Sequence, residues 1–311
     1  MKRKHINKIA IILSIFFVLF VFAVNVTAKQ KISSKTYYQQ GKKYFDKKRF
    51  DKAIDKYKKA IEISPRVTKY YYMMAKAYQF KGSMDDAVVF YNKAVEIDPD
   101  YYWSYSQLGD IYFERGDYEK AITYYRIFIE KCPKDSKVRY SLGKICDING
   151  DLDGAIKEYG EAIRLRPGYF DALFHIAINY AKKGDLKKAV TFYQKAKKVR
   201  PYDEDTLVNL GMIYVQLRKF SSAINVLTVA LRVNLFNRDT RFYLGKAYYG
   251  AGNLDQAIKQ TKKALRIDPD NADMHFTLGL YYDKKGWPDM AVVEYREALL
   301  LNPEYFRIIT D

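Results

Sequence analysis

Residues 103–133, WSYSQLGDIYFERGDYEKAITYYRIFIEKCP, read as two helices folded back on each other. Tyr105, Leu108, Gly109 and Tyr112 recur at i, i+3, i+4 and i+7, which is one face of a helix. Beyond Gly116, the residues Ala121, Tyr125 and Phe128 again share a face. Gly116 stands where the first helix should stop, because glycine enters the left-handed conformation at no steric cost. Pro133 ends the second helix, having no N–H to donate and disfavouring helix in the residue before it. One such hairpin leaves its apolar face bare, so a stable fold needs copies of it.

The copies are present. Prolines fall at 65, 99, 133, 167, 201, 269 and 303, a step of 34 with Leu235 filling the single gap. The eighth proline, Pro288, lies at the start of a second helix, where proline is tolerated. Counted from residue 34, the eighth place of every unit is Gly or Ala, from Gly41 to Gly279, and the twentieth is Ala throughout, from Ala53 to Ala291. Small residues there let two antiparallel helices approach closely, the expectation being that small faces small. Large residues hold places 4, 7, 11 and 24.

A 34-residue helix–turn–helix unit with small residues at 8 and 20, aromatics at 11 and 24 and proline at 32 resembles the tetratricopeptide repeat. The resemblance covers residues 34–305 in eight units: 34–67, 68–101, 102–135, 136–169, 170–203, 204–237, 238–271 and 272–305. Departures from the pattern are Phe128, Cys146, Leu227, Leu235 and Thr261. The resemblance implies an all-α, right-handed superhelical solenoid of antiparallel helix pairs, without a cofactor. It further implies that first helices line a concave groove, with places 2, 5, 9, 12 and 13 facing a protein or peptide ligand. In repeats 5–8 these places include Phe174, Ile178, Val208, Met212, Val215, Phe242, Tyr249, Phe276 and Leu280. In repeats 1–4 they include Tyr38, Lys42, Tyr72, Lys76, Trp103, Asp110, Phe113, Tyr140 and Lys144. One half thus reads as basic and tyrosine-rich and the other as apolar. The paired Lys and Asn groups with which the family's chaperone adaptors clamp a terminal carboxylate are not found in this arrangement.

Residues 1–33 differ in kind. Lys2, Arg3, Lys4 and Lys8 precede an apolar run from Ile9 to Val24, and small residues follow to Ala28. A basic head and an apolar run describe a signal sequence or signal-anchor over 1–28. The run, extended to Ala28, approaches the ~20 residues of a membrane span. The expectation is a membrane anchor through residues 9–28 with the repeats extracytoplasmic, cleavage and export being the alternative, and residues 29–33 a linker. Net charge is +18, unevenly spread: residues 36–67 hold ten bases against four acids, residues 170–203 eight against three. A nucleic-acid ligand would need those bases to form a continuous stripe and is disfavoured.

Catalytic patterns are not found. His5, His175 and His275 have no metal-ligand spacing, and neither a CxxC nor a glycine-rich phosphate loop occurs. Cys132 and Cys146 lie about 15 Å apart along the chain's helices, too far for a bridge, and Cys146 reads as a buried thiol. His275, at an aromatic core place, reads as structural. Of the 30 tyrosines, 16 fall at places 4, 11 and 24 and read as core. The expected function is a non-catalytic scaffold or adaptor. The alternative is a self-assembling structural scaffold, because residues 306–311 are a short apolar tail where repeat arrays carry a capping helix, and two copies could meet there.

Overall fold

A computed structural model describes residues 32–305. Among them are sixteen α-helices of 12–14 residues and no strand. They divide into two compact units, with the boundary between Pro133 and Lys134.

The first unit contains three hairpins: α1 Ser34–Asp46 with α2 Phe50–Ile63, α3 Thr68–Lys81 with α4 Met84–Ile97, and α5 Trp103–Glu114 with α6 Tyr118–Lys131. The second unit contains five: α7 Ser136–Ile148 with α8 Leu152–Leu165, α9 Phe170–Lys182 with α10 Leu186–Val199, α11 Glu204–Gln216 with α12 Phe220–Val233, α13 Arg238–Gly250 with α14 Leu254–Leu265, and α15 Ala272–Lys285 with α16 Pro288–Leu301. Pro288 occupies the first turn of α16, as its missing N–H requires.

The third hairpin shows how the two helices are joined. Gly116 adopts φ +76°, and its N–H and that of Asp117 return to the carbonyls of Phe113 and Tyr112, ending α5. Asp117 then accepts the N–H of Lys120 and caps α6, so helix stop and helix start are adjacent residues. The nearest neighbour of a glycine at the eighth place is the side chain at place 24, a tyrosine ring in four repeats, Leu227 and Thr261 in two others, and Gly245 also meets the carbonyl of Ala257 at place 20. A Cβ on Gly109 would lie 2.5 Å from Cδ1 of Tyr125, and one on Gly143 2.5 Å from Cε1 of Tyr159. The glycine provides the socket for tyrosines such as Tyr57 and Tyr159, which are fully enclosed; Tyr91 is enclosed as well, in a repeat whose eighth place is Ala75. At place 11 most tyrosines, such as Tyr44 and Tyr112, are half-buried, so core describes them only in part.

Two further expectations change. The two cysteines are not joined in a disulfide, in keeping with their separation, and Cys146 is half-buried rather than enclosed. The membrane-anchored, extracytoplasmic arrangement is corrected: no helix among the described residues is long and apolar enough to cross a membrane. The physical reason is length, since 14 residues rise about 21 Å and a bilayer core is about 30 Å thick. The run over 9–28, its cleavage, and the tail 306–311 lie outside the described residues.

Candidate functional site

In the second unit the first helices α9, α11, α13 and α15 present the nine residues expected in the apolar half of the groove. They divide into three environments. Phe174, Ile178, Met212 and Val215 are half-exposed and rest on a buried cluster to which Val208 belongs. Val208 and Phe242 are enclosed by their neighbours, so they support the wall instead of facing outward. Tyr249 and Leu280 are 39% and 43% exposed and meet the half-buried Phe276 around a hollow of about 430 Å3.

The hollow is built from the seventh and eighth repeats and contains five residues besides the expected Tyr249, Phe276 and Leu280. Lys246, Asp273, Thr277, Tyr281 and Tyr305 complete its lining. Two aromatic pairs make its walls, Tyr249 stacked on Tyr281 at 4.6 Å and Phe276 on Tyr305 at 4.7 Å. The Lys246 ammonium lies 4.3 Å from the centre of the Phe242 ring. Burial pulls the Lys246 pKa down, against the upward pull of Asp273. Tyr305 donates its hydroxyl to Asp273, which ties the chain after Pro303 to the rim. The signal for this hollow was present in the sequence as the lysine at place 9 of the seventh repeat, between the apolar Met212 and Leu280.

The second place of repeats 5–8 is also a regular feature: Asp171, Asp205, Asp239 and Asp273 stand at successive 34-residue steps. Arg200 lies 3.9 Å from Asp171, and Arg238 holds Asp239 at 2.9 Å.

The tyrosine-rich residues are more self-contained. In the first unit Tyr38 is buried against Tyr70 at 5.2 Å, and Tyr72 meets Tyr101 at 5.2 Å. Lys76 lies over the rings of Phe45, Tyr72 and Phe80, so its charge is engaged within the unit. Lys42 is exposed. Trp103 is exposed yet packs 6.0 Å from Phe128, the bulky residue standing where other repeats have alanine. Asp110 accepts the Tyr125 hydroxyl at 2.7 Å, and Phe113 meets Tyr118 at 5.8 Å. In the second unit Lys144 lies 5.3 Å over Tyr140, whose hydroxyl burial pushes up to about 12.

The two histidines among the described residues are held by their neighbours. His275 places one ring nitrogen 2.6 Å from Glu294 and the other 2.8 Å from the Pro269 carbonyl. His175 sits among the rings of Tyr140, Tyr159 and Phe174. Among the described residues no group of three or more His, Cys, Asp or Glu could hold a metal ion.

Comparison with known proteins agrees with this architecture. Family models described as TPR repeat match residues 41–82 and 245–286. Others described as tetratricopeptide repeat match 66–126, 106–170, 149–204, 206–239 and 272–305. No curated protein matches the sequence. Among solved structures, the crystal structure of MamA protein is 24% identical at a TM-score of 0.52, covering 55% of this chain and 94% of its own. MamA 41-end from Desulfovibrio magneticus RS-1 is 23% identical at 0.52, covering 54% and 96%. YrrB, described as a TPR protein with an unusual peptide-binding site, is 23% identical at 0.54, covering 58% and 94%. At these identities the likeness concerns the fold.

Proposed function

The chain belongs to the tetratricopeptide repeat family, and from that premise we propose that it is a non-catalytic interaction scaffold whose repeats 5–8 hold an apolar segment of another protein. The observation that carries this reading is the solvent-open apolar series on α9, α11, α13 and α15, ending at the hollow framed by Tyr249, Phe276 and Leu280. Apolar side chains held at the surface by a rigid wall are costly unless a partner covers them. Covering one gives roughly 1.5–3 kcal/mol. Three or four such anchors, less the cost of ordering a flexible ligand, correspond to an affinity of about micromolar. YrrB, which has this fold, is described as having a peptide-binding site. The residues Tyr38, Tyr72 and Lys76 of the first unit are largely engaged with one another, which favours the second unit as the binding element.

Substituting Ile178, Met212 and Leu280 together by glutamate tests the assignment. Ile178 and Met212 are partly buried on the surface of the cluster and Leu280 is exposed, so the far-ultraviolet dichroism should be kept, whereas a change at the enclosed Val208 would damage the core. Crosslinked capture of an identified partner by the wild type should be lost in the triple variant. Undiminished capture overturns the proposal.

A further inference from the structure

The second helix of the eighth repeat, α16, breaks a rule that the seven second helices before it keep. At place 29 all seven carry a charge, from Glu62 to Arg266, because that place points away from the core. In α16 it is Leu300, 77% exposed. At place 22 six of the seven are polar and α16 has Val293, 56% exposed. At place 19 the seven are polar or glycine and α16 has Met290, 45% exposed. These places face solvent within the stack, as the exposed Val89 of α4 shows, so a following hairpin would not cover them.

The departures are ordered. Met290, Val293, Glu297 and Leu300 follow at steps of three, four and three, the 3.5-residue spacing with which one helix receives another. At the head of this seam Gly286, Trp287, Pro288, Asp289 and Met290 frame a hollow of about 360 Å3, large enough for one big side chain. The charge beside the seam is negative. Glu297 lies within it and Asp289 beside it, against the single base of α16, Arg296, and repeat 8 as a whole has six acids and three bases in a chain of net charge +18.

We propose that the outer face of α16 docks a basic amphipathic helix of another protein, its apolar side chains on Met290, Val293 and Leu300 and a lysine or arginine opposite Glu297. A second copy of this chain fits less well, since pairing α16 with itself would bring acid against acid.

Two labelled peptides of about 18 residues, long enough to form a helix, test this on the full chain. They share one leucine seam and differ only in carrying lysine or glutamate beside it. The lysine peptide should bind at least about tenfold more tightly, and less so at high salt. That preference would run against the net positive charge of the protein and so would report the local face. Val293→Lys with Leu300→Arg restores the residues the seventh repeat has at these places, Lys259 and Arg266, so the fold should be kept. That variant should lose binding about tenfold or more, and Glu297→Lys should reverse the preference between peptides. The triple glutamate variant of Ile178, Met212 and Leu280 should bind the lysine peptide unchanged, so failure of the groove assignment and failure of this one are distinguishable. Equal binding of both peptides, or binding indifferent to Leu300→Arg, overturns the proposal. So does a wild-type dimer that Leu300→Arg dissolves, or an affinity that rises when residues 306–311 are removed, since each would show a different occupant.

Discussion

The same residue at the same place in the repeat does not have the same energetics. Tyr57 and Tyr159 both fill a glycine socket, but their hydroxyls differ. That of Tyr159 donates to Asp147 at 2.6 Å, and Asp147 also accepts the Asn179 amide at 2.5 Å, which links the fourth and fifth repeats. That of Tyr57 is buried with no partner. Removing a paired buried hydroxyl leaves its acceptor short, whereas removing an unpaired one relieves a desolvation cost. Tyr159→Phe should therefore destabilise by about 1–3 kcal/mol, while Tyr57→Phe should be neutral or stabilising. Urea unfolding measures both, and equal losses would contradict the pairing. His175 adds a pH dependence. Burial lowers its pKa below the ordinary 6.5, with Asp147 and Asp171 opposing and Lys144 and Lys182 reinforcing. The folded chain then binds fewer protons than the unfolded one just below pH 6.5. Its contribution is fully present above that pH and is lost as the pH falls toward the lower folded value. Between about pH 7.5 and about pH 5.5 the wild type should lose more urea resistance than His175→Phe. Parallel losses would remove His175 as the cause.

At the scale of the hairpin, the turn between the two helices is a fixed conformation that two repeats make with the wrong residue. Six of the eight turns place glycine at φ between +75° and +92°, and the other two place Lys48 at +55° and Arg218 at +57°. A side chain in that region costs roughly 1–2 kcal/mol, and glycine's greater freedom when unfolded returns about half of the gain. Arg218→Gly should thus stabilise by up to about 1 kcal/mol, and Gly116→Ala should destabilise by a similar amount. Thermal unfolding gives the sign of each, and a destabilised Arg218→Gly would mean that its side chain has a role the turn does not explain. The hairpins were legible in the sequence because spacing, glycine and proline act locally. The sockets were legible only in part: glycine at place 8 signalled close approach, but which side chain fills the space depends on the angle between helices. Val208 and Phe242 occupy the same place as Phe174 and Phe276 and yet are enclosed, because the neighbouring hairpins decide how much of each remains exposed. Lys246 and Tyr305, far apart in the chain, could be joined to one hollow only by the fold.

At the scale of the chain, the repeats are equivalent in backbone and unlike in surface. In α1 the seventh and tenth places are Gln40 and Lys43, whereas the later first helices carry buried apolar residues at the seventh, from Met74 to Leu278. The first repeat is thus polar where its successors receive a neighbour, and the eighth is apolar on its outer face, so polarity changes along an otherwise periodic array. Stability in such an array is a sum of hairpin terms and nearest-neighbour interfaces, with no single core to transmit a defect. Tyr91 tests this, being fully buried in a cluster with Ala75, Ala87 and, from the next hairpin, Leu108 and Ile111, and bonded to Gln79. Replacing it by alanine removes about 3–5 kcal/mol of packing from the second hairpin and its contact with α5. Amide exchange should accelerate in α3, α4 and the helices packed on them, and protection in α13 to α16 should stay at the wild-type level. Protection lost evenly as far as α16 would mean that the chain opens as one block, and the surfaces of repeats 5–8 and of α16 would then have to be treated as one coupled element instead of two separate ones.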